Sequence, residues 1–250
     1  IGLCGKDGNM VLARKIGRRV FDPLLRNVAV YGYWRGAELD PAYSIGWDPT
    51  QIVVVSVPAG WLWYIPLAPG LVSVGVVTSH ERFQSRAHES LEDFYRAHVG
   101  SSPEVAAWLA RAELVDFPGA SRRVLTEVDF NYFHECMSAP GCALVGDAAG
   151  FVDPVFSVGV FLSQTGGQLL AYALGTLLRG DGAMDERRLL GAYEQHLRVN
   201  LDAFRAMAYV FYGLNSTQGD WWRRARELIR AQALPDDITD HDAFFAVITG

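Results

Sequence analysis

The sequence predicts an α+β chain with one α/β-type element: an antiparallel sheet layer, a single strand buried on both faces, and a helical carboxyl end. Between Asn27 and Ser79, four β-branched or aromatic runs (NVAVYGYWRG, QIVVVSVPAG, WLWYIPLA and LVSVGVVTS) are divided by Gly, Pro, Asp and Asn. Connections as short as Ala68 to Gly70 favour hairpins over crossovers. The run CALVG, Cys142 to Gly146, is apolar without alternation, as a strand covered on both faces requires. Beyond it, helical periodicity takes over.

Along the chain, Asp7 to Arg19 is helical in character, with Met10, Leu12, Ala13 and Ile16 apolar and Gly17 as a stop. The four strand runs follow. Glu81 to Ala112 returns to helix with a break at Gly100 to Pro103, and SRRVLTEVDFNYF from Ser121 is extended. After CALVG, a long helix is expected from about Ser157, a second over roughly Glu186 to Phe211 and a third over roughly Asp220 to Ala231.

Composition narrows the function classes. Half of the 250 residues are hydrophobic and 20% are charged, which suits one large domain or two small ones and excludes intrinsic disorder. A net charge of −6 leaves no positive excess for a phosphate backbone, so no nucleic-acid partner is expected. Among 22 basic residues only Lys6 and Lys15 are lysines. Cys4, Cys136 and Cys142 fit neither a disulfide framework nor a zinc site and read as reduced thiols in the cytoplasm, with no metal implied. The longest uncharged run, Pro154 to Leu178, carries Ser157, Ser163, Gln164, Thr165 and Gln168, which fits a buried helix better than a membrane span. The opening IGLCGKDGNM has no secretion signal and no initiator Met, and it reads as a cut from something longer.

Two segments could carry chemistry. In GDAAGFVDPVFSVGV, Gly146 and Asp147 end a buried strand and deliver a carboxylate to a sheet's carboxyl edge, where a ribose or polyol hydroxyl can donate to it. Ala148, Ala149 and Gly150 are small enough for a cofactor to approach the main chain; Pro154 fits a turn and Ser157 a helix cap. The amides of Val158, Gly159 and Val160 would then form an anion-attracting helix start. The same pattern also fits a plain strand, turn and capped helix. In GWLWYIP, Trp61, Trp63 and Ile65 share one strand face and Leu62 and Tyr64 the other, so two indoles sit side by side, as a pocket wall or as sheet core. Two further features are weaker: His134, Glu135 and Cys136 cannot all face one metal from an extended segment, and Trp221 to Arg230 is a basic amphipathic run that fits a solvated face or a docking surface.

Together the two segments resemble the flavin-dependent halogenases, within the flavoprotein monooxygenase superfamily of hydroxybenzoate hydroxylase-like fold. Trp61, Trp63, Ile65 and Pro66 match the family's WxWxIP motif, and Gly146 to Val160 matches its GDAA, DP and S-x-G-V segments. The resemblance extends to LCGKDG near the start and to Tyr193 to Arg226 near the end. It implies an end of an FAD-binding segment over 1–26, a substrate-domain sheet with helices over 27–140, a returning Rossmann strand and helix over 141–180, and a helical region over 181–250. The GxGxxG fingerprint and the catalytic lysine of the family are not found in these residues, and Gly2 stands where an acidic residue is common. No residue of this chain is therefore expected to be catalytic, and the chain alone is expected to be inactive.

The resemblance further implies that reduced FAD, oxygen and chloride or bromide yield a hypohalous acid that halogenates an electron-rich aromatic. Gly146, Asp147, Ala148, Pro154, Gly159 and Val160 would hold the flavin, and Ser157, Val158 and Gly159 the halide. Trp61, Trp63, Ile65, Pro66 and Phe156 would wall the pocket between flavin and substrate. Phe156, where tryptophan halogenases carry an acidic residue, points to a phenol or pyrrole, free or tethered to an acyl or peptidyl carrier protein. A separate flavin reductase would supply FADH2. Rivals are an FAD-dependent hydroxylase or reductase of the same superfamily and a non-catalytic binding module.

Overall fold

The computed structural model describes residues 11–43, 51–86, 89–116, 122–179 and 185–214. LCGKDG with Lys6, Gly2 and Cys4, and the expected helix over Asp220 to Ala231 with its basic run, lie outside them. In chain order the elements are α1 (Val11–Ile16), β1 (Arg19–Phe21), β2 (Asn27–Arg35), β3 (Val53–Val57), β4 (Gly60–Ala68), β5 (Leu71–Ser79), α2 (His80–Gln84), α3 (Leu91–Val99) and α4 (Pro103–Trp108). There follow β6 (Glu113–Val115), β7 (Val124–Val128), β8 (Tyr132–His134), β9 (Ser138–Ala139), β10 (Cys142–Ala143), β11 (Gly150–Phe151), α5 (Gly159–Arg179) and α6 (Glu186–Leu214). The chain forms two compact units, Arg26–Asp129 and a unit built from Ile1–Leu25 together with Phe130–Gly250.

The first unit is an antiparallel sheet in the order β3-β4-β5-β2-β6, with β7 also on β2. The register explains how one strand serves three neighbours: β2 pairs with β5 along its whole length, while its other edge is divided between β7 at Val28–Gly32 and β6 at Tyr33–Arg35. Period-two alternation sends Val28, Val30, Trp34, Leu62, Tyr64, Val72, Val74 and Val76 to one face, where they form a core with Phe83, Phe94, Tyr95, Val99, Val105 and Trp108 of α2 to α4. Tyr95 fills the middle of that core. Its hydroxyl accepts from Trp34 Nε1 at 2.8 Å and donates to the Val74 carbonyl at 2.8 Å, and burial pushes the phenol pKa far up.

The helical stretch expected over Glu81 to Ala112 with a break at Gly100 to Pro103 is three helices: the expected break separates α3 from α4, and a further one separates α2 from α3. Ser79, Ser90 and Ser102 each cap a new start, accepting from the amides of Arg82, Asp93 and Val105. The residues after α4 join the sheet as β6.

In the second unit, β1, β8 and β11 form a small antiparallel sheet, and α5 packs beside α6. The run Cys142–Gly146 is buried as expected, yet its ladder covers only β10 against β9. Its remaining backbone groups are satisfied otherwise: the Leu144 amide donates to Met137 at 2.8 Å, the Leu144 carbonyl accepts the Tyr193 hydroxyl at 2.5 Å, and the Val145 carbonyl accepts from the Ala148 amide at 3.3 Å.

Helix α6 makes most of the polar links in this unit. Glu194 Oε2 accepts from the amides of Met137 (3.1 Å) and Ser138 (3.0 Å) and from Ser138 Oγ (2.9 Å), and Arg198 binds Oε1 at 2.7 Å. Arg198 also donates to the carbonyls of His134 and Glu135, Tyr209 donates to Asp22, and Tyr212 donates to Asp153. Between these, Leu190, Tyr193, Leu197, Leu201 and Ala208 are buried.

Two predictions test this fold. A Cβ at Gly75 would lie 2.2 Å from the Trp63 indole, so Gly75→Ala should lower unfolding stability by about 1–3 kcal/mol, the usual scale of overpacking, in denaturant melts. Glu194 provides a pH test. Its burial disfavours the charge, but hydrogen bonds from Arg198, Ser138 and Met137 and the Arg198 charge outweigh that and hold its pKa below the ordinary value. The stabilisation is therefore complete above the unfolded pKa, about 4.3, and is lost as pH falls through the folded one. Glu194→Gln should cost about 1–3 kcal/mol at neutral pH, and in a urea series the gap to the parent should close as pH falls through the lowered pKa of Glu194.

Candidate functional site

The segment Gly146–Val160 is built from two short turns feeding a long helix. Gly146 has φ +59°, and a Cβ there would come within 2.5 Å of Ser163 Oγ, so both the backbone and the close approach of α5 require glycine. Gly146–Ala148 then form a single 3-10 turn. It leaves Asp147 partly exposed, with its carbonyl accepting the Tyr132 hydroxyl at 2.5 Å, while Ala148 and Ala149 are buried. Gly150 runs close to β8; a Cβ would sit 3.0 Å from the Tyr132 carbonyl oxygen.

The second turn, Pro154–Phe156, is capped by Asp153, which is 1% exposed. Asp153 Oδ1 accepts from the Val155 amide at 3.0 Å and Oδ2 from the Tyr212 hydroxyl at 2.8 Å. Ser157 does not cap the helix. It takes a left-handed conformation, φ 54° and ψ 30°, and its amide closes the turn on the Pro154 carbonyl at 3.0 Å, because the chain must reverse before α5 can start. The helix opens instead at Val158, whose carbonyl accepts from the Leu162 amide at 2.9 Å. The first amides of a helix, here those from Gly159 onward, have no carbonyl one turn back to bond, and Val160 beside them is 69% exposed. Asp153 was missed as a capping residue, although an acceptor directly before a proline at the first turn position is its sequence signature.

Phe156 is half-buried and meets Phe211 edge-to-face, with centroids 5.9 Å apart. Gly146, Asp147, Ala148, Pro154, Phe156, Ser157, Val158, Gly159 and Val160 thus fall within one strand-turn-turn-helix passage of the second unit.

Trp61, Trp63, Ile65 and Pro66 belong to the first unit, on β4. Trp61 and Trp63 lie on the sheet face opposite the helix-covered core, centroids 5.9 Å apart and tilted by 51°. Register decides their packing: Trp63 stands opposite Gly75, which stands opposite Tyr31, so the indole crosses the bare strand and reaches the Tyr31 ring at 5.8 Å. Its Nε1 donates to Ser73 Oγ at 3.1 Å. Pro66 lacks an amide hydrogen yet fits, because β3 pairs with β4 only as far as Tyr64.

The other candidates separate. His134 is fully buried with Nδ1 2.6 Å from the Cys136 carbonyl oxygen, while Glu135 is exposed beside Arg18 at 3.5 Å. Among the described residues no group of three or more His, Cys, Asp or Glu side chains could hold a metal ion, and no helix is long and apolar enough to cross a membrane. A cavity of about 170 Å³ lies along α6 beside Arg198 and Arg205; of the Gly146–Val160 segment only Phe151 and Val152 line it.

With this geometry in place, the comparisons with known proteins are consistent. The tryptophan halogenase family model matches residues 41–246. Tryptophan 2-halogenase from Chondromyces crocatus is 29% identical over 211 residues, which is 84% of this chain and 38% of that protein. Flavin-dependent halogenase armH1 from Armillaria mellea is 31% identical over 219 residues, 80% of this chain and 41% of that one. Among solved structures, the myxobacterial chondrochloren halogenase CndH, an FAD-dependent halogenase, superposes with a TM-score of 0.72 at 29% identity, covering 93% of this chain and 58% of that one. This chain thus spans about two fifths of the length of these curated relatives. Over the larger part of its length it belongs to the tryptophan halogenase family.

Proposed function

We propose that this chain forms part of a flavin-dependent halogenase that uses reduced FAD, oxygen and chloride or bromide to halogenate an electron-rich aromatic, a phenol or a pyrrole. The observation that carries the reading is the Gly146–Val160 passage: a buried strand exit bearing a partly exposed carboxylate, then a turn that leads into the amino-terminal end of α5. FADH2 comes from a separate flavin reductase in the cytoplasm, and the aromatic is free or tethered to an acyl or peptidyl carrier protein.

The residues fit such a cofactor. Asp147 is an acceptor for a ribityl or ribose hydroxyl, and Gly146, Ala148 and Pro154 keep the adjoining main chain free of bulky side chains. A bound flavin supplies the activation of oxygen that turns halide into an oxidant. Gly159 and Val160 contribute amides to its polar edge. Ser157, Val158 and Gly159 form the halide seat, because a helix start attracts a small anion through its orphan amides and its dipole. Trp63, Ile65 and Pro66, each half-buried, offer an apolar face to an aromatic substrate, backed by Trp61, which is 1% exposed, and the Ser73 bond fixes the orientation of the Trp63 indole. Phe156 adds a ring where a charged side chain would favour a different substrate.

The defining experiment supplies reduced flavin, oxygen and chloride to the full-length protein with a phenol and a pyrrole and weighs the product. A gain of chlorine is expected; a gain of oxygen would make it a hydroxylase. Asp147→Ala should weaken FAD binding about ten- to a hundredfold, the scale of one charge-assisted hydrogen bond, with unchanged affinity in a folded variant removing Asp147 from the site. Gly159→Pro removes an amide and adds bulk, so it should depress chloride affinity more than FAD affinity in paired titrations.

A further inference from the structure

We infer that Tyr212 is a positioning residue for the halide seat, acting through Asp153; this rests on the reading of the Ser157–Gly159 turn given above. Tyr212 and its neighbour Phe211 lie near the carboxyl end of α6, more than fifty positions from the turn in sequence. They hold it at both ends. The Tyr212 hydroxyl donates to Asp153 Oδ2 at 2.8 Å where the turn begins, and the Phe211 ring packs edge-to-face on Phe156 at 5.9 Å where it ends.

Between those two anchors the backbone is in a conformation it would not choose. Ser157 is one of two non-glycine residues with positive φ among the described residues, the other being Asp129. A left-handed serine persists only where its surroundings hold it. Asp153 provides that hold with both oxygens: Oδ1 fixes the Val155 amide, and Oδ2 is tied to α6. Because the carboxylate is 1% exposed, water cannot replace Tyr212 as its donor without opening the packing. Removing the phenol hydroxyl therefore takes away the tie between the carboxylate and α6, loosens the turn and lets Ser157 relax, which shifts the amides of Val158 and Gly159 that follow it. Asp147 lies on the preceding turn, anchored separately through its carbonyl by Tyr132. Halide binding should consequently suffer while flavin binding does not.

The test uses the full-length protein loaded with FAD and measures dissociation constants for chloride and for FAD, with folding checked by circular dichroism. Tyr212→Phe should weaken chloride binding about five- to twentyfold, a part of the roughly ten- to hundredfold worth of one hydrogen bond to a charged group because the effect reaches the seat indirectly, and change FAD affinity less than about twofold. Asp153→Asn keeps an oxygen for the Val155 amide but turns a donor toward Tyr212, and it should reproduce the loss if the tyrosine variant folds poorly. Tyr95→Phe deletes a comparably buried hydroxyl in the other unit and controls for general destabilisation; its chloride affinity should match the parent. Parent-like chloride binding in both turn variants, alongside a loss in Gly159→Pro, would overturn the positioning role alone. Parent-like binding in Gly159→Pro as well would overturn the halide seat, and the inference with it. An equal loss in Tyr95→Phe would reduce the effect to stability and overturn it too.

Discussion

The second unit depends on one helix reading the backbone of distant segments. Residues 130–157 contain four short strands, none of which builds more than a three-residue ladder with its neighbour. Backbone that does not pair in a sheet must find other partners or stay wet. Helix α6 supplies several through side chains spaced along its length, Tyr193 to Leu144, Glu194 to Met137 and Ser138, and Arg198 to His134 and Glu135, while Tyr209 and Tyr212 bind the carboxylates of Asp22 and Asp153. The arrangement works because the helix is amphipathic, with Leu190, Leu197, Leu201 and Ala208 buried between the polar grips. Apolar burial holds the helix in place, and directional bonds then set the path of the chain that carries Asp147 and Ser157.

The first unit solves a different problem with the same economy of means. Its sheet needs no external reader, since β2, β4 and β5 satisfy one another over eight or more residues. What is specific there is surface. A glycine at position 75 bares the middle of β5, so that an indole from one neighbouring strand and a phenol from the other meet across it. Two tryptophans alternating on a strand would ordinarily point outward in parallel. Gly75 and Ser73 convert them into a continuous aromatic face with one ring pinned by a hydrogen bond.

The sequence made local patterns legible and left long-range ones hidden. The four strands between Asn27 and Ser79 fall within three residues of their expected bounds, because period-two alternation and turn residues are local signals. Helix α6 begins where expected, at Glu186. The break expected at Gly100 to Pro103 falls where α3 ends and Ser102 caps α4, whereas the division at Ser90 was outweighed by the apolar spacing around it. At the candidate site, Asp147 and the helix start were readable from spacing. Ser157 resembles a cap in isolation, while Asp153 directly before Pro154 carries the local signature of one; what spacing does not show is that Tyr212, fifty-nine positions away, binds its other oxygen. No local periodicity encodes such a pairing.

The choice of backbone amides to hold the halide has a chemical logic under the proposed function. A seat that faces an oxidant must not itself be oxidised, and thiols and thioethers are the side chains most easily lost in that way. In this unit Met137 is fully buried beneath α6, and Cys136 and Cys142 lie on elements apart from the Ser157–Gly159 turn. An ammonium would bind chloride more tightly, but it would also compete for the hypohalous acid at the moment of its formation, whereas an amide N–H attracts the anion and offers no lone pair of comparable basicity. The cost is that amides hold an anion only when several converge, and convergence requires a backbone fixed to a few tenths of an ångström. A turn with a left-handed serine, tied at one end by a buried carboxylate and at the other by an edge-to-face ring pair, is held from both sides in the way such a seat requires.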